Sequence, residues 1–329
     1  MIAITVWREL PMKEPIHQFL EQRPFMVLDG ALATELERRG ADLRDPLWSA
    51  KCLIDSPDTI RSVHYDYFLA GADVATTATY QATFEAFEGR GLRRSDAAQL
   101  MRRAVALAVA ARDAFWVSES AGTTRLRPLV AASIGPYGAM LADGSEYRGH
   151  YSLTDAALAA FHKPRFDLLA TSGADLIACE TLPCLQEALV LARLLAGHPT
   201  LSAWISFSCQ DGSRNCEGED MGDCVAALES FPQVAAVGVN CTAPQHIPLL
   251  LRHMRRRTGR PLVAYPNSGE SYDASSKQWN GEQIPVPFAD QTTSWYREGA
   301  RLIGGCCRTG PGDIRGAVLS LTTQCARSF

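Results

Sequence analysis

Three cysteines stand where they could hold one soft metal ion between them. Two are adjacent, Cys306 and Cys307, in GGCCRTGP from Gly304 to Pro311. The third, Cys241, closes the apolar run VGVNC, with Pro244 just beyond. Neighbouring side chains of a regular strand point to opposite faces, so Cys306 and Cys307 can share a ligand only if the chain turns there. Gly304 and Gly305 are expected to supply the freedom for that turn. Three thiolates suit Zn²⁺, and three protein ligands leave a fourth position open, as in catalytic rather than structural zinc sites. A zinc ribbon is disfavoured because no CxxC pair occurs. The plain alternative for the adjacent pair is two small buried apolar residues, since free Cys is often interior. Cys52, Cys184, Cys216, Cys224 and Cys325 fall in helix or loop context, and Cys179 and Cys209 flank strand ends as packing residues.

Two carboxylates also stand at the ends of apolar runs, Asp29 in VLDGALATEL and Glu180 in LIACETLP. Such a pair could be the acid and base of a glycosidase. It could equally bind a substrate ammonium group, or cap the helices that follow. A barrel hydrolase would leave the three cysteines without a role, so ammonium recognition is the preferred reading. The seven histidines, among them His64, His150 and His246, read as surface or packing residues.

The elements that must position these residues alternate along the chain. Eight short, mostly apolar runs are candidate strands: Phe25–Asp29, Ala72–Thr79, Leu129–Ile134, Leu176–Glu180, Ser202–Ser208, Ala235–Cys241, Leu262–Pro266 and Arg301–Gly305. Runs apolar throughout suit parallel strands covered on both faces. Helices fill the intervals. Ser56-Pro57-Asp58 has a capping residue, Pro in the first turn and an acid at the positive dipole end. That helix should run to Gly71. Ser95 opens a long Ala-rich helix, and Thr154-Asp155 another that Pro164 interrupts. Pro183, Pro244 and Pro311 are expected at first turns of helices after strands. Eight βα pairs with no linker predict an α/β fold, a single (β/α)₈ TIM barrel, with a doubly wound sheet as runner-up. In a barrel, Cys241, Cys306 and Cys307 would converge at the C-terminal mouth. Two long polar connections, Gly135 to Leu153 and Pro266 to Gln283, would frame it, where barrel substrate sites are built.

Composition closes off other classes. The 329 residues are 47% hydrophobic and 21% charged, which excludes a disordered chain. The net charge of −4 argues against a nucleic-acid binder, which would usually carry a basic stripe. No run of about 18 apolar residues predicts a membrane span. The N-terminus lacks a basic region followed by a long apolar one, so a cytoplasmic protein is expected. In that reducing compartment the ten cysteines should be buried, reactive or metal-bound rather than cross-linked.

Seven motifs, LDGALATELERRG, TTATYQATF, SIGPYGAMLADGSEYRG, DLIACETLP, GVNC, VAYPNSGE and GGCCRTGP, together resemble the homocysteine S-methyltransferase family. The likeness is greatest to its bacterial and plant branch, which uses S-methylmethionine or S-adenosylmethionine. It spans about Pro24 to Ser320, with residues 1–23 as an N-terminal extension and 24–329 as the barrel domain. The resemblance implies one Zn²⁺ per chain on Cys241, Cys306 and Cys307. It implies homocysteine held by its amino group at Asp29 and Glu180, and a methyl group passed from a sulfonium donor to the homocysteine sulfur. No catalytic residue beyond the zinc-held substrate thiolate is expected. Tyr137, Tyr147, Tyr151 and Trp279 are candidate aromatic faces for the sulfonium. Asn267, Ser268 and Glu270 are candidates for an amino-acid head group, and Asn240 is a further substrate-binding candidate. The expected partners are small molecules, with no nucleic acid and no membrane. A non-catalytic zinc-stabilised binding protein is the third class to separate from methyltransferase and hydrolase.

Overall fold

The protein is described here from a computed structural model covering residues 14–43, 48–121, 123–273, 278–282 and 284–326. Its strands, in chain order, are β1 (Met26–Val27), β2 (Val74–Thr76), β3 (Leu129–Ile134), β4 (Leu176–Leu182), β5 (Ala203–Phe207), β6 (Val234–Asn240), β7 (Leu262–Tyr265), β8 (Ser271–Asp273), β9 (Gln278–Asn280) and β10 (Ala300–Ile303). Eight of them make one parallel sheet in the order β1-β10-β7-β6-β5-β4-β3-β2. A parallel bridge between Leu28 and Val74 joins the two outer strands, and the sheet closes on itself. This is the expected (β/α)₈ barrel. Each of the eight predicted runs carries one barrel strand, with ends shifted by up to three residues.

Alternation along the strands sorts the side chains into two cores. Met26, Leu28, Val74, Ala131, Leu176, Ala178, Trp204, Ala236, Val263 and Leu302 pack together inside the barrel. The residues between them, such as Ile177, Ile205, Val237 and Ala264, pack outward with the helices. Continuing the inward phase to the C-terminal ends gives Thr76, Ser133, Glu180, Ser206, Asn240 and Tyr265. The top layer of the barrel is therefore polar while everything beneath it is apolar. The opposite floor is closed by the helix Pro15–Leu20, whose Ile16 and Phe19 are buried in the same interior cluster.

Some local expectations changed. The helix Pro57–Ala70 ends at Gly71, whose φ of 110° is left-handed, yet the Ser56 side chain makes no capping bond. The long helix is Arg94–Glu119 and starts one residue before Ser95. Thr154 does cap, accepting from the Ala157 amide, but Pro164 does not interrupt the helix Asp155–Ala170. Burial of Leu158, Phe166 and Leu169 on that helix outweighs the one backbone bond that Pro removes. Neither long connection is irregular throughout. The first holds a short helix, Tyr137–Leu141, and a single turn, Ser145–Tyr147. The second holds the antiparallel hairpin β8–β9.

Candidate active site

Cys241 follows Asn240, the last residue of β6, and simple alternation would turn it outward to the helices. Its φ of 47° reverses that direction. Its amide donates to the Tyr265 carbonyl at 3.1 Å, which keeps the backbone on the ladder as the side chain swings over the mouth. Left-handed backbone at a non-glycine residue costs energy and persists only where its surroundings enforce it. Thr181, on β4 with β5 between it and β6, has the same feature with φ 61°. Asn240 stabilises it: its Oδ1 accepts from the Thr181 amide, and its Nδ2 donates to the Thr181 hydroxyl, each at 2.7 Å.

Cys306 and Cys307 come after β10 has ended. The Cys306 amide donates to the Pro266 carbonyl at 2.8 Å, and the Thr309 hydroxyl donates to the Cys306 carbonyl at 2.6 Å. The turn is made by Arg308, with φ 73°, and not by the two glycines. Gly304 and Gly305 serve close approach instead. A Cβ on Gly304 would lie 2.6 Å from the Leu28 Cβ, and one on Gly305 2.2 Å from the Thr309 Oγ1.

The three sulfurs meet as expected. Cys241 and Cys307 are 3.6 Å apart, Cys306 and Cys307 4.0 Å, and all three lie within 4.8 Å of one another. Tetrahedral bonds of ~2.3 Å to a common zinc require sulfurs about 3.8 Å apart, so the spacing and donor type fit that ion. The thiols of Cys306 and Cys307 bond to Cys241 and hold it well below the ordinary thiol range, while their own are pushed up. The Tyr147 hydroxyl adds a contact at 3.0 Å to the Cys241 sulfur.

One cavity joins this cluster to Asp29, Glu180, Tyr80, Glu146 and Tyr147. Asp29 accepts from the Thr76 amide at 2.8 Å and from its hydroxyl at 3.1 Å. Glu180 accepts from Ser133 and, at 3.0 Å, from the Tyr265 hydroxyl. Burial pushes the Glu180 carboxyl up to about 7, against the pull of those two hydroxyls. Burial raises Asp29 as well, with Glu180 adding to it. Each acid is fixed separately, Asp29 by Thr76 and Glu180 by Ser133 and Tyr265, and both line the cavity that holds the sulfur cluster.

The remaining expected residues lie elsewhere. Asn240 is wholly buried and spends its side chain on Thr181 and Ser206. Tyr137 packs edge-on against Tyr151 and Phe161, at 5.3 and 5.1 Å between ring centres. Its amide donates to Glu187 at 2.6 Å. Asn267 accepts from the Gly269 amide at 2.9 Å. Ser268 donates to Glu270 at 2.7 Å, and Arg308 donates to the same carboxylate at 3.2 Å. None of these five lines the cavity. The side chain of Trp279 lies outside the described residues. Sequence reasoning missed Tyr80, Thr181 and Glu146 as cavity residues. The first two directly follow the ends of the predicted runs Ala72–Thr79 and Leu176–Glu180, which was the available signal.

A barrel mouth with three convergent thiols and two buried acids on separate strands narrows the comparison with known proteins. The homocysteine S-methyltransferase family model matches residues 26–318. The chain belongs to the homocysteine S-methyltransferase family. Homocysteine S-methyltransferase YbgG of Bacillus subtilis is 50% identical over 301 residues, 92% of this chain and 96% of that protein. The homocysteine methyltransferase MmuM of Escherichia coli, in its metallated form, matches with a TM-score of 0.82 at 45% identity, covering 92% of this chain and 98% of the other. Its oxidized form gives 0.84 at 46% identity, covering 93% and 99%. Membership makes the protein a methyltransferase, and the hydrolase reading of Asp29 and Glu180 is set aside.

Proposed function

We propose that this enzyme transfers a methyl group from a sulfonium donor, S-methylmethionine or S-adenosylmethionine, to the thiol of homocysteine, giving methionine. The observation that carries this reading is the convergence of Cys241, Cys306 and Cys307 with Asp29 and Glu180 in one cavity. The three cysteines would hold one zinc per chain. Held there, the ion would supply Lewis acidity that favours the thiolate form of an acceptor thiol near neutral pH, worth roughly 30-fold, or ~2 kcal/mol, for a thiol that is otherwise a few per cent ionised.

The chain's own residues do the rest. Asp29 and Glu180 take the homocysteine ammonium, which orients its sulfur toward the cysteine cluster. Tyr147 holds Cys241 by its hydroxyl, and Thr76, Ser133 and Tyr265 hold the two acids. A positive sulfonium and a negative sulfur neutralise each other as the methyl moves, and a cavity with little water favours that loss of charge. The departing thioether is neutral, so no general acid is required, consistent with a cavity that no histidine lines among the described residues. Tyr147 remains the aromatic candidate at the cavity. The barrel from residue 24 would be the catalytic unit, with the preceding extension supplying its floor helix. No described helix is long and apolar enough to cross a membrane; a cytoplasmic site of action with small-molecule partners belongs to the same proposal.

The test is a donor panel with homocysteine, following methionine. S-methylmethionine or S-adenosylmethionine should support turnover by zinc-loaded protein, and betaine and methyl-folate should not. Turnover with betaine or methyl-folate alone would overturn the sulfonium assignment.

A further inference from the structure

Glu146 is the third acid of the cavity, and nothing in the chemistry above uses it. It lies in the single turn Ser145–Tyr147 of the connection after β3. The residue is only 6% exposed, and its Oε2 has no hydrogen-bond partner among the described residues. No described ion pair includes it; the neighbouring Arg148 turns to Asp143 and Ser145 instead. The backbone around it is tightly held. The Ser208 hydroxyl donates to the Glu146 carbonyl at 2.8 Å. A Cβ on Gly138 would fall 2.5 Å from the Glu146 amide nitrogen, so the turn fits only over a glycine. The next residue, Tyr147, reaches the Cys241 sulfur.

A buried carboxylate with one oxygen left unpartnered is costly, and burial pushes this one up to about 7, against the pull of its own backbone amide and of the more distant Arg148 charge. Such a group persists where an incoming ligand supplies the missing charge. The cavity lining contains three carboxylates and three cysteines but no Lys or Arg, so it is built for cations. The ammonium of homocysteine accounts for Asp29 and Glu180. The other cation of the reaction is the methyl donor.

We infer that Glu146 is the carboxylate that receives the positively charged methyl donor and makes the site specific for sulfonium donors. This rests on the proposed function above. The donor's sulfonium charge disappears on transfer, so an anion placed for it favours donor over product, and its removal should weaken donor binding more than it slows the methyl step. Glu146→Gln keeps the shape and removes the charge.

In zinc-loaded Glu146→Gln at saturating homocysteine, the KM for S-methylmethionine should rise about tenfold or more, with kcat changed less than about threefold. The KM for homocysteine should stay within about threefold of wild type. Calorimetric titration of S-methylmethionine into protein without homocysteine should show the same loss of affinity. Glu146→Asp, which keeps the charge one methylene back, should recover part of it. Metal-free Glu146→Gln should melt no lower than wild type, because an unpaired buried charge has been removed. A donor KM within twofold of wild type, an equal rise in both KM values, or a lower melting temperature would each overturn the assignment. Wild-type protein that makes no methionine from any sulfonium donor would instead overturn the proposed function itself.

Discussion

The hydroxyl of Tyr147 lies 3.0 Å from the sulfur of Cys241, so a residue of the β3 connection touches a thiol of the cysteine cluster. That contact ties the loop to the cysteine cluster. A hydroxyl donating to a thiolate disperses its charge and fixes its direction, and loss of such an outer partner typically costs 10–100-fold in metal affinity. Tyr147→Phe should therefore weaken zinc binding by about tenfold or more in a chelator competition. Its metal-free melting temperature should barely move. Unchanged zinc affinity would mean that the hydroxyl serves only the packing of the loop.

The cysteines themselves make a sharper prediction. Wild-type reduced protein should carry about one zinc per chain by elemental analysis. Cys306→Ser should lose most of that metal and the activity while retaining the barrel's circular dichroism, since Cys306 sits in a turn beyond β10 and not in the ladder. A structural zinc site would unfold on the same substitution. Full zinc and full rate in Cys306→Ser would refute the ligand assignment.

Oxidation should follow the distances. Cys241 and Cys307 are 3.6 Å apart at sulfur. A bridge within the adjacent pair Cys306–Cys307 would be strained. Zinc-free protein treated with a mild oxidant should no longer regain activity when zinc is restored, and peptide mapping should find Cys241 joined to Cys307. Zinc should protect against this. A map that pairs only other cysteines would contradict the arrangement.

The fold was legible because both faces of each strand are covered. Apolar runs such as Leu129–Ile134 announced the barrel without any clear alternation, and the convergence of Cys241 with Cys306 and Cys307 followed from that architecture. Details that depend on tertiary contact were hidden. The positive φ of Cys241 and Thr181 has no sign in residue type, because neither is Gly, Asn or Asp. Gly304 and Gly305 were visible, but their reason, the approach of Leu28 and of Thr309, was not. Polar strands as short as β8 and β9 resemble loop. Asn267, Ser268 and Glu270 looked free for substrate, and in the folded chain they satisfy one another, Gly269 and Arg308. The burial of Glu146 in a polar connection likewise has no sign in residue type, because it depends on tertiary contact.

Ammonium recognition should depend on pH in a direction that Glu180 fixes. Burial holds its carboxyl up at about 7, above the ordinary carboxylate value. A raised folded-state value favours the protonated acid. Its contribution to stability is complete below the ordinary value and is lost as pH rises through about 7. The ligand-free protein should thus lose some stability over that interval, while affinity for the ammonium appears over the same interval. Thiol ionisation also changes with pH, so the useful quantity is a ratio. The kcat/KM for homocysteine divided by that for an amine-free thiol should climb with pH and level off above about 7. A flat ratio would remove Glu180 from ammonium binding.

The same assignment predicts what removal of the acid does. A charge-assisted hydrogen bond in a partly closed pocket is worth roughly 1.5–3 kcal/mol. Glu180→Ala should raise the homocysteine KM by about ten- to hundredfold with zinc content unchanged. That variant also strips Ser133 and Tyr265 of the acceptor they share. Glu180→Gln is the necessary companion: it keeps an oxygen for one of the hydroxyls and removes only the charge. Both variants should lose most on homocysteine and little on an amine-free thiol, and the pH dependence of their ratio should vanish. If Glu180→Gln behaves as wild type while Glu180→Ala is crippled on both acceptors, the residue supports the polar layer of the barrel mouth and does not bind the substrate's ammonium. Equal losses on both acceptors in both variants would place Glu180 in the methyl transfer itself, and the division of labour between the acids and the cysteines would have to be redrawn.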